Sequence, residues 1–214
     1  MHFHIITLFP KSLDSYLGES ILKRAKEDKK IKISFYNPRD FTADKFKRID
    51  RPPYGGGPGM VIQAEPVAKA IEFAIKKSKS KKPKIIFLSP SGKQFTNEYA
   101  HTTAKKFKDV IIISGRYEGI DARIKKIFKM EEISVGPFVL TGGELPAMLM
   151  IDVISRQVEG VLGNFDSLEE KRIGGDSYTR PEVFVYKNKK YKVPKILLSG
   201  HRAKINEWKQ KKSK

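Results

Sequence analysis

Five short apolar runs alternate along the chain with segments of helical spacing, and that alternation most limits what it can fold into. The runs are "HFHIITL" (2–8), "IKISFYN" (31–37), "PKIIFLSP" (83–90), "DVIIISG" (109–115) and "EEISVGPFVL" (131–140). Between and after them lie 10–30, "EPVAKAIEFAIKK" (65–77), "TNEYAHTTAKKFK" (96–108), "DARIKKIF" (121–128) and "ELPAMLMIDVISRQV" (144–158). Within 10–30 the apolar residues Leu13, Tyr16, Leu17, Ile21 and Leu22 share a helical face, and the end is rich in Lys, as a helix C-terminus prefers. Continuously apolar strands alternating with helices predict an α/β domain with a largely parallel sheet. Thr96 is the expected N-cap of its helix. After Gly163 the pattern weakens, which predicts a linker over 164–178 and a small basic appendage over 179–214. The Lys-rich stretch at 76–84 has no apolar face and reads as a solvated connection.

Open parallel sheets bind ligands at the carboxyl ends of their strands. Here three successive strands run into glycine-bearing turns: "LSPSG" (88–92), "SGRYEG" (114–119) and "VGPFVLTGG" (135–143). Glycine admits a ligand close to the backbone or lets the chain take positive φ, so three such turns in succession predict one pocket lined by main chain. None of them is a P-loop or a dinucleotide fingerprint. Glu118 and Glu144 stand where a phosphate would want bare N–H groups. A neutral or cationic ligand suits them better, such as a nucleoside carrying a sulfonium. Glu144 also suits the positive end of the helix it opens. A second glycine cluster, "DRPPYGGGPGM" (50–60), reads either as a surface connection or as a substrate lid.

Lys and Arg number 43 against 24 Asp and Glu, a formal net charge of +19, which favours a polyanionic partner and nucleic acid above others. There is no Cys, which excludes disulfides, thiol catalysis and Cys-metal sites and suits a cytoplasmic location. The start "MHFHIITLFP" lacks the features of a signal peptide, and no apolar run reaches the roughly 18 residues of a membrane span. The four His make no metal-ligand spacing with nearby acids, so no protein-bound metal site is expected; His2 and His4, on a buried strand, read as structural.

Nine segments in order resemble the bacterial tRNA (guanine-N1)-methyltransferase family of the SPOUT superfamily: "ITLFP", "NPRDF", "DRPPYGGGPGMV", "IIFLSPSGK", "ISGRYEGIDARI", "VGPFVLTGGELPAM", "DVISRQVEGVLGN", "YTRPEVF" and "VPKILLSGHRAKINEW". The resemblance covers nearly the whole chain. It implies a SPOUT-type parallel sheet with a deep C-terminal trefoil knot, an AdoMet-binding domain over 1–163 and, after the linker 164–178, a short basic tRNA-binding C-terminal domain over 179–214. It implies S-adenosylmethionine as methyl donor, N1 of guanine at tRNA position 37, 3′ of the anticodon, as acceptor, and a homodimer with active sites at the subunit interface. Mg²⁺ dependence also follows from the resemblance, although the sequence offers no all-protein Mg²⁺ cage.

By matching position, the resemblance assigns the cofactor to Leu88, Ser89, Pro90 and Gly92, then Gly115, Arg116, Tyr117 and Glu118. It completes the pocket with Val135, Gly136, Phe138, Leu140, Gly142 and Gly143. On this reading the glycines admit the adenosine and the acids suit the sulfonium. RNA contacts are assigned to Asp50, Gly59, Met60, Ser177, His201 and Lys204.

Guanine N1 carries a proton at neutral pH, so transfer needs a general base. The family's base is a linker Asp in an Asp-Ser-Phe-like sequence, assisted by an Arg of the preceding helix, which matches Arg156. Counting from Ser167 puts Lys171 at the base position, where Lys is unsuitable. Asp176-Ser177-Tyr178 resembles the sequence itself, displaced towards "TRP", so Asp176 is the expected base and Glu170 the second choice. Pro137 and Arg51 replace family Asp residues, and the chain stops soon after Trp208, where the family continues with further helices. Two other readings stay open: a catalytically impaired AdoMet- and tRNA-binding protein, and a SPOUT methyltransferase acting on another RNA.

Overall fold

The structure, a computed structural model, describes residues 1–163 and 176–212. The chain divides into two units, Met1–Gly163 and Asn164–Lys214. In the first, strands β1 (His2–Ile6), β2 (Lys32–Tyr36), β5 (Lys84–Gln94), β6 (Asp109–Ile113) and β7 (Glu131–Ser134) form one sheet in the order β2-β1-β6-β5-β7, every neighbouring pair parallel. The sheet is covered by α1 (Asp14–Leu17), α2 (Ser20–Glu27), α3 (Ala64–Lys77), α4 (Asn97–Lys106), α5 (Ile124–Ile127) and α6 (Glu144–Arg156). Two short strands, β3 (Asp50–Arg51) and β4 (Val61–Ile62), pair antiparallel outside the sheet.

Strand side chains alternate between faces, and that alternation builds two cores. Val110 and Ile112 of β6 pack with Phe3, Ile5, Leu22, Met150 and Ile154. Ile111 and Ile113 point the other way, to Val67, Ile71 and Ile124. All five residues of β6 are buried, as a central parallel strand requires. Thr96 caps α4, its side chain accepting from Tyr99 N at 3.1 Å.

Three elements differ from the sequence expectation. Residues 10–30 are not one helix: a 3₁₀ turn (Pro10–Leu13) leads into α1, the chain breaks at Gly18, and α2 begins at Ser20 with φ 49°. A Cβ at Gly18 would lie 2.6 Å from the Asp14 carbonyl oxygen, so the turn there closes too tightly for a side chain. Secondly, "LSPSG" does not end its strand. The pairing of β5 with β7 jumps from Leu88↔Ile133 to Lys93↔Ile133, so residues 89–92 bulge out and the strand resumes. Thirdly, the loop from Pro38 is tied down before its glycines, because β3 and β4 clamp the base of residues 52–60. Gly55, Gly56, Gly57 and Gly59 all have positive φ (81–110°), a conformation that an L side chain rarely adopts.

The sheet's edge carries a polar tie. Lys84 Nζ lies 2.5 Å from Glu131 Oε1, and Tyr99 OH donates to Glu131 Oε2 at 2.8 Å. The Lys84 ammonium, followed by the Tyr99 hydroxyl, holds the Glu131 carboxyl below its ordinary pKa. A depressed folded-state pKa means stability that is present above the unfolded value and lost as pH falls through the folded one. Glu131→Gln should therefore lower stability at pH 7 by about 1 kcal/mol or less, because the carboxylate is half exposed and screened. Thermal melts at pH 7 and at about pH 3 check this: the gap between wild type and variant must close at the lower pH.

In the second unit a hairpin pairs β8 (Val183–Tyr186) with β9 (Lys189–Lys192), followed by α7 (Lys195–Leu198) and α8 (Arg202–Lys212). Lys187 and Asn188 turn the hairpin with φ 46° and 61°, the two positive values a two-residue turn needs. This region is thus not purely helical. Tyr178 packs against Trp208, ring centroids 6.4 Å apart. Among the described residues, no helix is long and apolar enough to cross a membrane.

Candidate active site

The bulge within β5 and the turns at the carboxyl ends of β6 and β7 line one cavity of about 440 Å³. Of the fourteen residues assigned to a cofactor, Leu88, Ser89, Pro90, Gly115, Arg116, Tyr117, Glu118, Val135, Phe138, Leu140, Gly142 and Gly143 line it. Gly92 and Gly136 do not. A Cβ at Gly92 would sit 2.5 Å from Ile133 N, so glycine there lets the end of the bulge lie against β7. A Cβ at Gly136 would meet the Phe138 ring at 2.1 Å. Sequence reading also missed Ile120, Lys125, Ser134, Val139 and Pro146 of the lining. Of these only Ser134 and Val139 fall inside the strand run that leads into the third turn; Ile120 sits in a bridge to Ile62 just after the middle turn, and Lys125 and Pro146 come from α5 and α6.

The middle turn is the rigid centre. Tyr117 has φ 59°, a left-handed conformation that costs a bulky residue about 1 kcal/mol or more and persists only where neighbours hold it. Four backbone bonds hold it: Gly119 N to Arg116 O (3.0 Å), Glu118 N to Met60 O (3.0 Å), Ile62 N to Gly119 O (3.0 Å) and Asp121 N to Ile62 O (2.9 Å). The last three run to the end of the second glycine cluster. Gly59 lies so close to Glu118 that a Cβ would be 2.5 Å from Oε1. The glycine loop therefore springs from the cavity wall, which places Gly59 and Met60 beside the site. Asp50 lies on β3, at the other root of the same loop.

The third turn is locked to the middle one by Gly143 N donating to Gly115 O (2.9 Å) and Ser114 Oγ donating to Gly143 O (3.1 Å). Glu144 is buried at 3% exposure and does not face the cavity as a free acid. It accepts from Thr7 Oγ1 at 2.7 Å and from Arg116 Nε at 2.7 Å. Arg116 also donates to Thr141 O (3.3 Å) and lies over the Phe9 ring (4.8 Å). This corrects the reading that both acids await a cation: Glu144 is neutralised inside the fold, and Glu118 is the carboxylate that lines the cavity.

Gly142 and Gly143 line the cavity and serve the fold as well. A Cβ at Gly142 would collide with the Arg116 side chain at 2.3 Å, and one at Gly143 with Ser114 Cα at 2.6 Å. They allow the chain to approach itself, and the cavity follows from that approach. Backbone cannot step aside as a flexible side chain can, so Gly143→Ala should destabilise by about 1–3 kcal/mol. Urea denaturation measures this; an unchanged midpoint would show that the turn can shift at no cost.

Arg156 is the last residue of α6 and partly buried. Asp176 and Ser177 are exposed and outside regular structure, and His201 and Lys204 are exposed beside or on α8. Glu170 and Lys171, with most of the expected linker, lie outside the described residues.

All 214 residues (1–214) match the profile of the family described as tRNA (Guanine-1)-methyltransferase TrmD. The chain is 44% identical over 210 residues to the tRNA (guanine-N(1)-)-methyltransferase of Campylobacter jejuni subsp. doylei, covering 96% of this chain and 88% of that one. It is 44% identical over 218 aligned positions to the enzyme of the same name from Clostridioides difficile, covering 100% and 92%. Among solved structures, the tRNA (m1G37) methyltransferase from Aquifex aeolicus superposes with a TM-score of 0.79 at 36% identity, over 98% of this chain and 88% of that one. A full-length match and relatives this similar place the molecule: the chain belongs to the tRNA (guanine-N1)-methyltransferase family.

Proposed function

We propose that the chain methylates N1 of guanine at tRNA position 37, with S-adenosylmethionine as methyl donor. One observation carries the reading: three turns from successive strands converge on a single main-chain-lined cavity in a chain that matches the family from end to end. The lining suits that donor. Leu88, Pro90, Val135, Leu140 and Ile120 offer apolar walls for an adenine, and the Glu118 carboxylate offers a counter-charge for a sulfonium. When bound, S-adenosylmethionine supplies an electrophilic methyl group.

The chain's own residues then position the base and move its proton. Asp176 takes the N1 proton of guanine, and Arg156 stabilises the negative charge that develops on O6. Asp50, Gly59, Met60, Ser177, His201 and Lys204 contact the RNA, and the net charge of +19 supplies non-specific attraction to phosphate. Mg²⁺ asks for several oxygen ligands. Among the described residues, Glu118 is the one carboxylate lining the cavity, so the lining makes no Mg²⁺ cage.

A homodimer is supported by apolar side chains left at the surface beside the cavity: Phe138 (52% exposed), Val139 (81%), Leu145 (55%) and Leu149 (39%). Sedimentation should give the mass of two chains, and Leu145→Asp with Leu149→Asp should give one. A trefoil knot is supported by the strand order β6-β5-β7 and by the return of the segment after β7 to the turn after β6. Pulled from both ends, a knotted chain stops short of its contour length of about 3.6 Å per residue; full extension would rule the knot out.

Methyl transfer from S-adenosylmethionine to a tRNA transcript tests the activity. Transfer to a transcript with guanosine at 37, and none to one with adenosine there, is the expected outcome. Equal transfer to both would remove this substrate.

A further inference from the structure

The sheet has a second polar cluster at the opposite end from the cavity. His2 and His4 alternate on β1 and point to one face, and Asp109, which opens β6, pairs directly with His2. His4 is fully buried and Asp109 nearly so, while the His2 side chain keeps 15% exposure. One ligating atom from each of the three lies within 4.8 Å of the others. His4 Nε2 is 3.2 Å and His2 Nδ1 3.7 Å from the same carboxylate atom, Asp109 Oδ1. The longer of these is beyond a hydrogen bond. Both are close to the separation of about 3.4 Å between two ligands of a tetrahedral ion with bonds of about 2.0–2.2 Å.

The other nitrogen of each ring is also held. His2 Nε2 meets Ser34 Oγ at 2.9 Å, and His4 Nδ1 meets Tyr36 OH at 2.9 Å, both hydroxyls coming from β2. Without an ion, His4 Nε2 donates to Asp109 Oδ1 at 3.2 Å; with an ion in place, each hydroxyl can accept from the far ring nitrogen and free the lone pair of the near one, the outer support that metal-bound imidazoles regularly have.

We propose that His2, His4 and Asp109 bind one divalent transition-metal ion of the Zn²⁺ class, with a fourth position open to water. Two imidazoles and one carboxylate select borderline ions such as Zn²⁺, Ni²⁺ and Cu²⁺ over Mg²⁺ and Ca²⁺. The Lys32 and Met1 ammonium groups nearby oppose an ion held by charge alone, which strengthens that preference. The ion would join β1 directly to β6 and, through the two hydroxyls, to β2.

The test is calorimetric titration of untagged, chelator-treated full chain with ZnCl₂, and with MgCl₂ as comparator. One Zn²⁺ per chain and no Mg²⁺ at this site are expected. His2→Ala, chosen because His2 reaches the surface, should weaken Zn²⁺ binding by about 100-fold, and Ser34→Ala by about 10-fold. Methyl transfer by His2→Ala should stay at the wild-type level, because the cluster lies at the other end of the strands. Absence of stoichiometric Zn²⁺ binding to the wild type overturns the proposal. So does undiminished binding by both His2→Ala and Asp109→Asn, which would move the ion to His101 or His201. If either variant unfolds, the visible spectrum of the Co²⁺-loaded wild type decides: tetrahedral bands support the site, and an octahedral spectrum overturns it.

Discussion

Asp176→Asn is expected to lower methyl transfer to tRNA by about 10²–10⁴-fold, the usual worth of a positioned general base. Asn keeps the size and polarity of Asp but cannot take a proton at neutral pH, and guanine N1 must lose one for the new bond to form. The loss should fall on kcat, with binding of S-adenosylmethionine unchanged, because the cavity is built by residues 87–146 and Asp176 is not among its lining. Arg156→Ala should lower kcat as well, and by less, since it removes stabilisation of charge on O6 and leaves the proton acceptor in place. Single-turnover transfer with Asp176→Asn, beside equilibrium binding of the methyl donor, separates the outcomes. Full activity in the variant would pass the role to Glu170. Bound donor with no activity even in the wild type would leave a binding protein.

Arg116→Ala is expected to cost about 3–5 kcal/mol of stability, towards the lower end because the Arg116 side chain is 26% exposed. The cost arises at Glu144, whose side chain is only 4% exposed. Without the guanidinium, the carboxylate keeps a single hydrogen bond, from Thr7 Oγ1 at 2.7 Å, and stays buried with no counter-charge. The same change releases Thr141 O and uncovers Phe9, so the third turn loosens and donor binding should fall with stability. Arg116→Lys should recover only part of either, because an ammonium supplies the charge without the fork that reaches Glu144 and Thr141 together. Urea denaturation with donor titration checks both. A cost below about 1 kcal/mol would mean that the pair contributes like an ordinary surface bridge.

The sequence by itself determined most of the sheet's strands, the cap of α4 and where a cavity would form. The apolar run of β6 reads as a central strand because no face of it can tolerate water, and all five residues are buried. Thr96 reads as a cap because its hydroxyl can reach a backbone N–H three residues on. Glycine-bearing turns on three successive strands announced one cavity, since a parallel sheet carries all its strand ends to one edge. Nine ordered segments carried the family resemblance, which the full-length match then bore out.

Only the tertiary structure decided what those residues are for. Gly142 and Gly143 line the cavity as the sequence suggested, and they also make room for Arg116 and Ser114, which no local signal announced. Glu144 looks like a free acid at a helix start and is paired with residues 28 and 137 positions away. "LSPSG" looks like a strand end and is a bulge, because β7 resumes pairing beyond it. His2 and His4 stand alone in the sequence, and only the sheet brings Asp109, 105 positions from His4, against them on the neighbouring strand. The physical reason is the same in each case. Periodicity, capping and burial depend on residues a few positions apart, whereas charge pairing, close backbone approach and ligand geometry depend on which distant segments the sheet sets side by side.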